Sequence, residues 1–367
     1  MFLGIIGIGA AGGNVADEAA LRGIPSVAIN FSKQDLDSLM HVEEENKLHF
    51  VGSEGIGKVR DNAIMLMRNN WELAVNFIKT KMSAPSIEVI LVCFSTAGGS
   101  GGGSSPVLLE ILQQEFPDKV FVGVPILPSR NEVIINQINC LETMSELSNQ
   151  DIAIFPIDNE KVRTTHEQFS KNKLYNFANT QFIEILSKII SYTGKYSKLG
   201  VLDQKDLLQL FSQPGVSVIS RLTINEITNA KQINEYIQRS WKKSIFAPID
   251  YTQVIRAGII SDGTEQLIEN INHEELFKAF KNGMPVDLFE GTFLESDGLV
   301  LSILSGLPWI NERLSEIEDI ISNGRVDLEI TAKTFTPKTN YKNFRQKPVQ
   351  KTPTSGNALD ILKKYQR

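Results

Sequence analysis

The sequence predicts an α/β protein whose first part is a doubly wound parallel sheet. Short apolar runs that read as buried strands alternate with helical patterns through about 160 residues. Two glycine-rich stretches, 7–14 and 97–103, each stand between an apolar run and a helical pattern. That is where phosphate loops sit, beyond the carboxyl ends of parallel strands. A third, all-helical region at 174–194 precedes a segment of mixed strand and helix patterns, which predicts a smaller α+β second domain.

Residues 2–8 read as the first strand. Gly7, Ile8, Gly9, Ala10, Ala11, Gly12, Gly13 and Asn14 follow, then a helix to about residue 22 and a strand at 26–30. This βαβ start contains GxGxxG, which on its own suggests a Rossmann dinucleotide site and a nicotinamide-dependent oxidoreductase. A Rossmann site also wants an acid after the second strand for the ribose, and Asn30 stands there. Residues 52–58 match GxxxxGK, but Val59 follows where a P-loop needs Ser or Thr for magnesium. Residues 60–81 form a helical pattern with Ile64, Met67, Trp71, Val75 and Ile78 on one face, a core stripe.

The stretch 94–106 organises the chain. Five glycines and five hydroxyl residues lie between the apolar run 87–94 and a helical pattern at 107–116. Glycines let backbone N–H groups approach a ligand, and a helix opening at Ser104 and Ser105 adds unpaired N–H groups and a positive dipole end. Phosphate is the natural occupant. Residues 119–125 read as the next strand, 131–148 as a helix and 152–161 as a strand end with an insertion.

Beyond 174–194, Asp203 and Asp206 open a short helix at 204–211, where Asp203 suits an N-cap. Strands are expected at 216–223, 257–261, 299–304 and 326–331, with helices at 274–282 and 311–322. The four histidines, His41, His49, His166 and His273, have no metal-ligand spacing. Cys93 and Cys140 give neither a disulfide framework nor a zinc pattern, and Cys93 falls in a core strand.

Charge is uneven. The net charge is −6, yet residues 331–367 hold nine Lys or Arg and one acid, Asp360, which leaves the body near −14. From residue 334 the composition turns to Lys, Arg, Pro, Thr and Asn, expected to be disordered, and 357–365 is a potential short basic amphipathic helix. No apolar run approaches the ~20 residues of a membrane span, and the apolar start lacks a basic leader, so cytoplasmic residence is expected.

The run Ala97, Gly98, Gly99, Ser100, Gly101, Gly102, Gly103 resembles GGGTGTG, the phosphate-binding signature of the tubulin/FtsZ superfamily. Ala97 departs at the first glycine, Ser100 replaces threonine and Gly102 takes the second hydroxyl position. GIGAAGGN is similar to that family's first nucleotide loop, with Ala10 for a glycine. The departures make the chain look most like the plasmid- and phage-encoded TubZ type. The resemblance implies a GTP-binding domain at 1–173, a central helix at 174–195, an activation domain at 196–333 and a flexible tail at 334–367.

It further implies that Gly9, Ala10, Ala11, Gly12, Gly13, Asn14 and Ala97 to Gly103 cradle GTP or GDP with Mg2+ between the phosphates. Lys58 would reach the γ-phosphate, Pro128 would lie in the ribose loop, Asn159 in the IPND-like strand end, and Asn179 against guanine. Asp203 and Asp206 match the two acids of NxDxxD, with Val201 in place of its asparagine. In the family these acids complete the pocket of the next subunit in a head-to-tail filament, a contact that repeats without closing.

The function so implied is a polymerising GTPase that segregates plasmid or phage DNA. The tail would engage a DNA-binding adaptor, with no sequence-specific DNA contact by the chain itself. A division-type or phage-centring homologue is the near alternative, and a non-hydrolysing nucleotide sensor the distant one.

Overall fold

The computed structural model describes residues 2–50, 55–223, 225, 227, 229–294 and 297–334, with 325–334 described by backbone alone. The expectations for Gly52 to Glu54 of the GxxxxGK match and for the tail after 334 lie outside these residues.

The strands β1 (Leu3–Ile8), β2 (Ser26–Asn30), β3 (Lys47–His49), β4 (Val89–Ser95) and β5 (Val120–Leu127) pair in the parallel order β3-β2-β1-β4-β5. Every residue of β1 and all but the last of β4 are buried, as a sheet covered by helices on both faces demands. The sheet continues through β6 (Ala153–Ile154), with β7 (Ile157–Asp158) also on β5, into β8 (Gly215–Thr223). Beyond it lie β11 (Leu299–Leu307), antiparallel to both β8 and β9 (Arg256–Asp262), and at the edge β10 (Asp287–Phe293).

Helices α1 (Gly9–Leu21), α2 (Lys33–Asp37), α3 (Arg60–Met82), α4 (Gly99–Glu115) and α5 (Ile134–Leu147) serve the parallel half. Then come α6 (Asn159–Thr165), α7 (Lys171–Tyr192), α8 (Gln204–Phe211), α9 (Ile233–Lys243), α10 (Glu265–Ile268), α11 (His273–Phe277) and α12 (Asn311–Thr334). In α3, Ile64, Met67, Val75 and Ile78 are buried and Trp71 is half-buried against them.

α7 spans the depth of the sheet. It starts where β7 and α6 leave the carboxyl edge, and the segment after it ends at Lys205, whose Nζ lies 3.2 Å from Glu88 Oε2, just before β4 begins. At 1.5 Å per residue its 22 residues cover about 33 Å. It packs beside α1, where Arg22 pairs with Glu18 at 2.8 Å and Glu184 of α7 at 3.3 Å.

Two expectations are corrected. The helix after β4 opens at Gly99, not at Ser104. Glycine's poor helix propensity suggested a loop, but here the missing side chains let α4 pack closely on its neighbours, and packing overrides propensity. Residues 326–331 are no strand: α12 runs unbroken from Asn311 to Thr334. Their alternation of apolar and polar residues fits a short strand and a helix end equally well. The strand β10 and the helix α9 were not expected from the pattern.

Candidate nucleotide site

The two glycine stretches meet at the carboxyl ends of β1 and β4. Gly9 takes φ +71°, a left-handed backbone open to glycine, and a Cβ there would stand 3.1 Å from Gly101 N. The loops therefore touch backbone to backbone. Neither α1 nor α4 has a side-chain N-cap, and neither carries an acid in its first turn. In α4, Gly102 N–H closes onto Gly98 O at 3.1 Å, which leaves the amides of Gly99, Ser100 and Gly101 without an intrahelical partner. Two uncapped helix starts side by side make a concentrated positive field suited to a chain of phosphates.

The glycines divide the work. A Cβ on Gly103 would meet Arg60 O at 2.6 Å and Ala63 Cβ at 2.9 Å, and one on Gly102 would meet Thr96 O at 2.7 Å. These two serve close packing. A Cβ on Gly98 would meet nothing within 4 Å, so Gly98 borders open space in front of the helix. A nucleoside triphosphate fits this cradle: open volume beside Gly98, free amides behind it, and no carboxylate at either helix start. Ala10 and Asn14 are exposed one turn apart on α1.

Three buried side chains hold the cradle, and the motif comparison did not single them out. Arg60 donates through Nε and Nη2 to Gly102 O at 3.3 and 3.1 Å and pairs with Glu142 and Glu146 of α5. Asn139 Nδ2 donates to Lys58 O at 3.2 Å and Ala97 O at 3.1 Å, joining the Lys58 loop to the start of α4. Thr143 Oγ1 donates to Gly102 O at 3.0 Å and Asn139 O at 2.7 Å. Polar residues on the face of a helix that also carries Cys140, Met144 and Leu147, as at 136, 137, 139 and 143, are the sequence signal for such a role.

Lys58 itself is exposed with φ +65°, the described non-glycine residue in left-handed backbone, and a Cβ on Gly99 would lie 2.9 Å from its Cα. Its side chain is thus at the mouth of α4. A cavity of about 330 Å3 opens beside it, bordered by Ser129, Asn131, Phe169 and Tyr175. Pro128 is buried at the end of β5, its carbonyl accepting from Arg313 Nη2 at 2.7 Å. Arg313 Nε also reaches Asp158 at 3.0 Å, so the start of α12 is stapled to the loop after β5 and to the N-cap of α6.

Asn159, the first residue of α6, and Asn179, on the buried side of α7, are both at least nine-tenths covered. Asn179 lies five residues before Glu184, the contact with α1, and so toward the N-terminal end of α1. The sequence-derived cradle residues therefore gather at the carboxyl edge of the sheet.

Asp203 and Asp206 do not join them. Asp203 Oδ1 accepts from Lys205 N at 2.7 Å and Asp206 N at 3.0 Å, and Asp206 Oδ2 accepts from Asp203 N at 2.9 Å, a reciprocal capping box on α8. Burial raises the Asp206 pKa above the ordinary aspartate value, partly opposed by the bond from Asp203 N. Lys205 touches Glu88 at the amino end of β4, whereas the cradle sits at its carboxyl end. Seven strand residues separate the two, on the order of 20 Å. Among the described residues, no group of His, Cys, Asp or Glu is placed to hold a metal, and no helix is long and apolar enough to cross a membrane. Both cysteines are buried and free, and burial pushes their thiols up.

Residues 3–166 match the family profile described as Tubulin/FtsZ family, GTPase domain. The chain is similar to the tubulin-like protein CetZ of Pyrococcus horikoshii, 27% identical over 296 residues that cover 75% of this chain and 80% of that one. It is similar to the tubulin-like protein TubZ of Clostridium botulinum C phage, 29% identical over 254 residues, 67% of this chain and 64% of that one. Its fold matches a GTPγS-form protofilament of Bacillus thuringiensis serovar israelensis TubZ with a TM-score of 0.79 at 18% identity, covering 91% of this chain and 94% of that one. Paired glycine loops at the switch point of a parallel sheet, and these likenesses, lead to one conclusion: residues 3–166 are a GTPase domain of the tubulin/FtsZ family, in a chain with the tubulin/FtsZ fold.

Proposed function

We propose that this chain is a GTPase that polymerises head to tail, with hydrolysis completed by the next subunit, and that its filaments segregate plasmid or phage DNA. The observation that carries the reading is the separation of Asp203 and Asp206 from the glycine cradle by the depth of the sheet. One subunit cannot bring them together, but two stacked subunits can, because the acids of one face the carboxyl edge of the other. A solved TubZ relative forms a protofilament in a GTPγS form, which supports the same stacking here.

The working units are residues 1–173 for nucleotide, 174–195 as the central helix, 196–333 for activation and 334–367 as the tail, all in the cytoplasm. Gly9 to Asn14 and Ala97 to Gly101 hold the phosphates through backbone amides, with Gly102 and Gly103 fixing α4 in place. Lys58 offers a cation at the γ-phosphate end. Pro128 and Asn159 border the ribose, and Asn179 faces the base. GTP with Mg2+, when bound, supplies the phosphoryl group whose charge these residues neutralise. Asp203 and Asp206 orient the attacking water, and the raised pKa of Asp206 suits it to take a proton from that water. The tail, with nine cations against one acid from 331 on, engages a DNA-binding adaptor.

Asn caps helices as well as Asp, so Asp203→Asn preserves the α8 cap while removing the charge. Turnover of GTP by Asp203→Asn and by Asp206→Asn should fall by about a hundredfold or more, with GTP affinity and sedimenting polymer retained. Normal turnover by both variants would contradict the proposal.

A further inference from the structure

A second cavity, of about 600 Å3, lies away from the cradle, between α6 and α7 on one side and β8 and α9 on the other. Its walls carry Lys161, Arg221, Arg239 and Lys243, and no Asp or Glu lines it among the described residues. Four cations lining one cavity with no carboxylate in its wall raise the positive potential there, a cost the fold accepts when an anion is to be received.

Each cation has a different standing. Lys161 Nζ is fixed by donating to Phe246 O at 2.8 Å, and burial pulls its pKa down to about 8, partly opposed by Asp158. Arg239 rests 5.3 Å over the Tyr236 ring and meets Glu235 outside the cavity at 3.4 Å, both ends of that pair being exposed. The side chains of Arg221, half-buried on β8, and Lys243, exposed at the end of α9, have no ion-pair or hydrogen-bond partner among the described residues. Between the cations Phe177 and Tyr236 give the cavity aromatic surface.

We propose that this cleft is an anion-binding site distinct from the nucleotide cradle, taking a small organic phosphate with an apolar body. The phosphate sits among Lys161, Arg221, Arg239 and Lys243, and the body lies against Phe177 and Tyr236. Arg221 supplies a planar fork suited to phosphate oxygens. Because α6 and α7 form one wall and β8 and α9 the other, an occupant ties the central helix to the second half of the chain.

Phenyl phosphate is the probe, followed by isothermal titration on the full chain with and without saturating GDP. Binding is expected under both conditions, to weaken with added salt, and to exceed that of phenol, which has the ring but no charge. Arg221→Ala with Lys243→Ala should weaken phenyl phosphate by about tenfold per cation removed, while the charge-keeping pair Arg221→Lys and Lys243→Arg largely restores it. GDP binding by the alanine pair, unchanged from the parent, reports an intact fold. No binding of phenyl phosphate by the folded parent, equal binding of phenol, loss of binding on adding GDP, or indifference to the alanine pair would each overturn the proposal.

Discussion

Gly103 shows how a phosphate-loop residue can serve packing rather than contact. A methyl there meets a backbone oxygen at 2.6 Å, and backbone cannot move aside as a side chain can. Gly103→Ala should therefore cost about 2 kcal/mol in urea unfolding, whereas Gly98→Ala, which meets nothing within 4 Å, should leave stability nearly unchanged and weaken nucleotide instead. Arg60 is the complementary case. Its guanidinium is buried between Gly102 O and two glutamates of α5, so Arg60→Ala removes the buried cation that ties α4 to α5 and should cost about 3 kcal/mol by the same assay.

Asp297 illustrates a charge whose value depends on pH. Hydrogen bonds from Lys188 and Tyr192, and a further one from Lys195, hold its carboxyl well below the usual aspartate range. A depressed folded pKa stabilises the protein above the unfolded value, near 4, and that contribution is lost as pH falls below it. Asp297→Asn should thus be less stable at neutral pH and lose less stability between about pH 5 and pH 2 than the parent, as read by thermal melts across that range.

At the scale of elements, the sequence made the parallel half legible because each strand there is a buried apolar run and each helix has one apolar face. The strand at 26–30 and the helix at 204–211 fall at the residues expected. α4 did not, since its first turn consists of glycine and serine, and only close tertiary approach, by the backbone at Ser95 and Thr96 and by α3 at Gly103, explains a helix there. α12 misled for the opposite reason: one helical turn of alternating residues imitates a strand. β10, with only two of its seven positions buried, has too little apolar pattern to announce itself.

The candidate site was legible to the extent that its two glycine stretches, marked by their spacing, meet at the carboxyl ends of β1 and β4. Its supports were not, because Arg60, Asn139 and Thr143 act through tertiary contacts made 41 or 42 residues away in sequence. The staple of Arg313 on Pro128 O and Asp158, spanning 185 and 155 residues, is more distant still.

The whole molecule is one continuous sheet whose two edges carry different equipment: amides and an exposed lysine at one, a capped pair of acids at the other. Resemblance by motif pointed most to the TubZ type, and the similar proteins include TubZ and also CetZ. What the two-edged arrangement demands is independent of that choice. On the proposed reading, each molecule binds nucleotide by itself but needs a neighbour's α8 to use it. Steady-state GTP turnover per subunit, measured across a range of protein concentrations, tests this most directly. A rate that is negligible at low concentration and rises once polymer sediments is the expected result; a rate per subunit that stays constant down to dilute monomer would contradict the account.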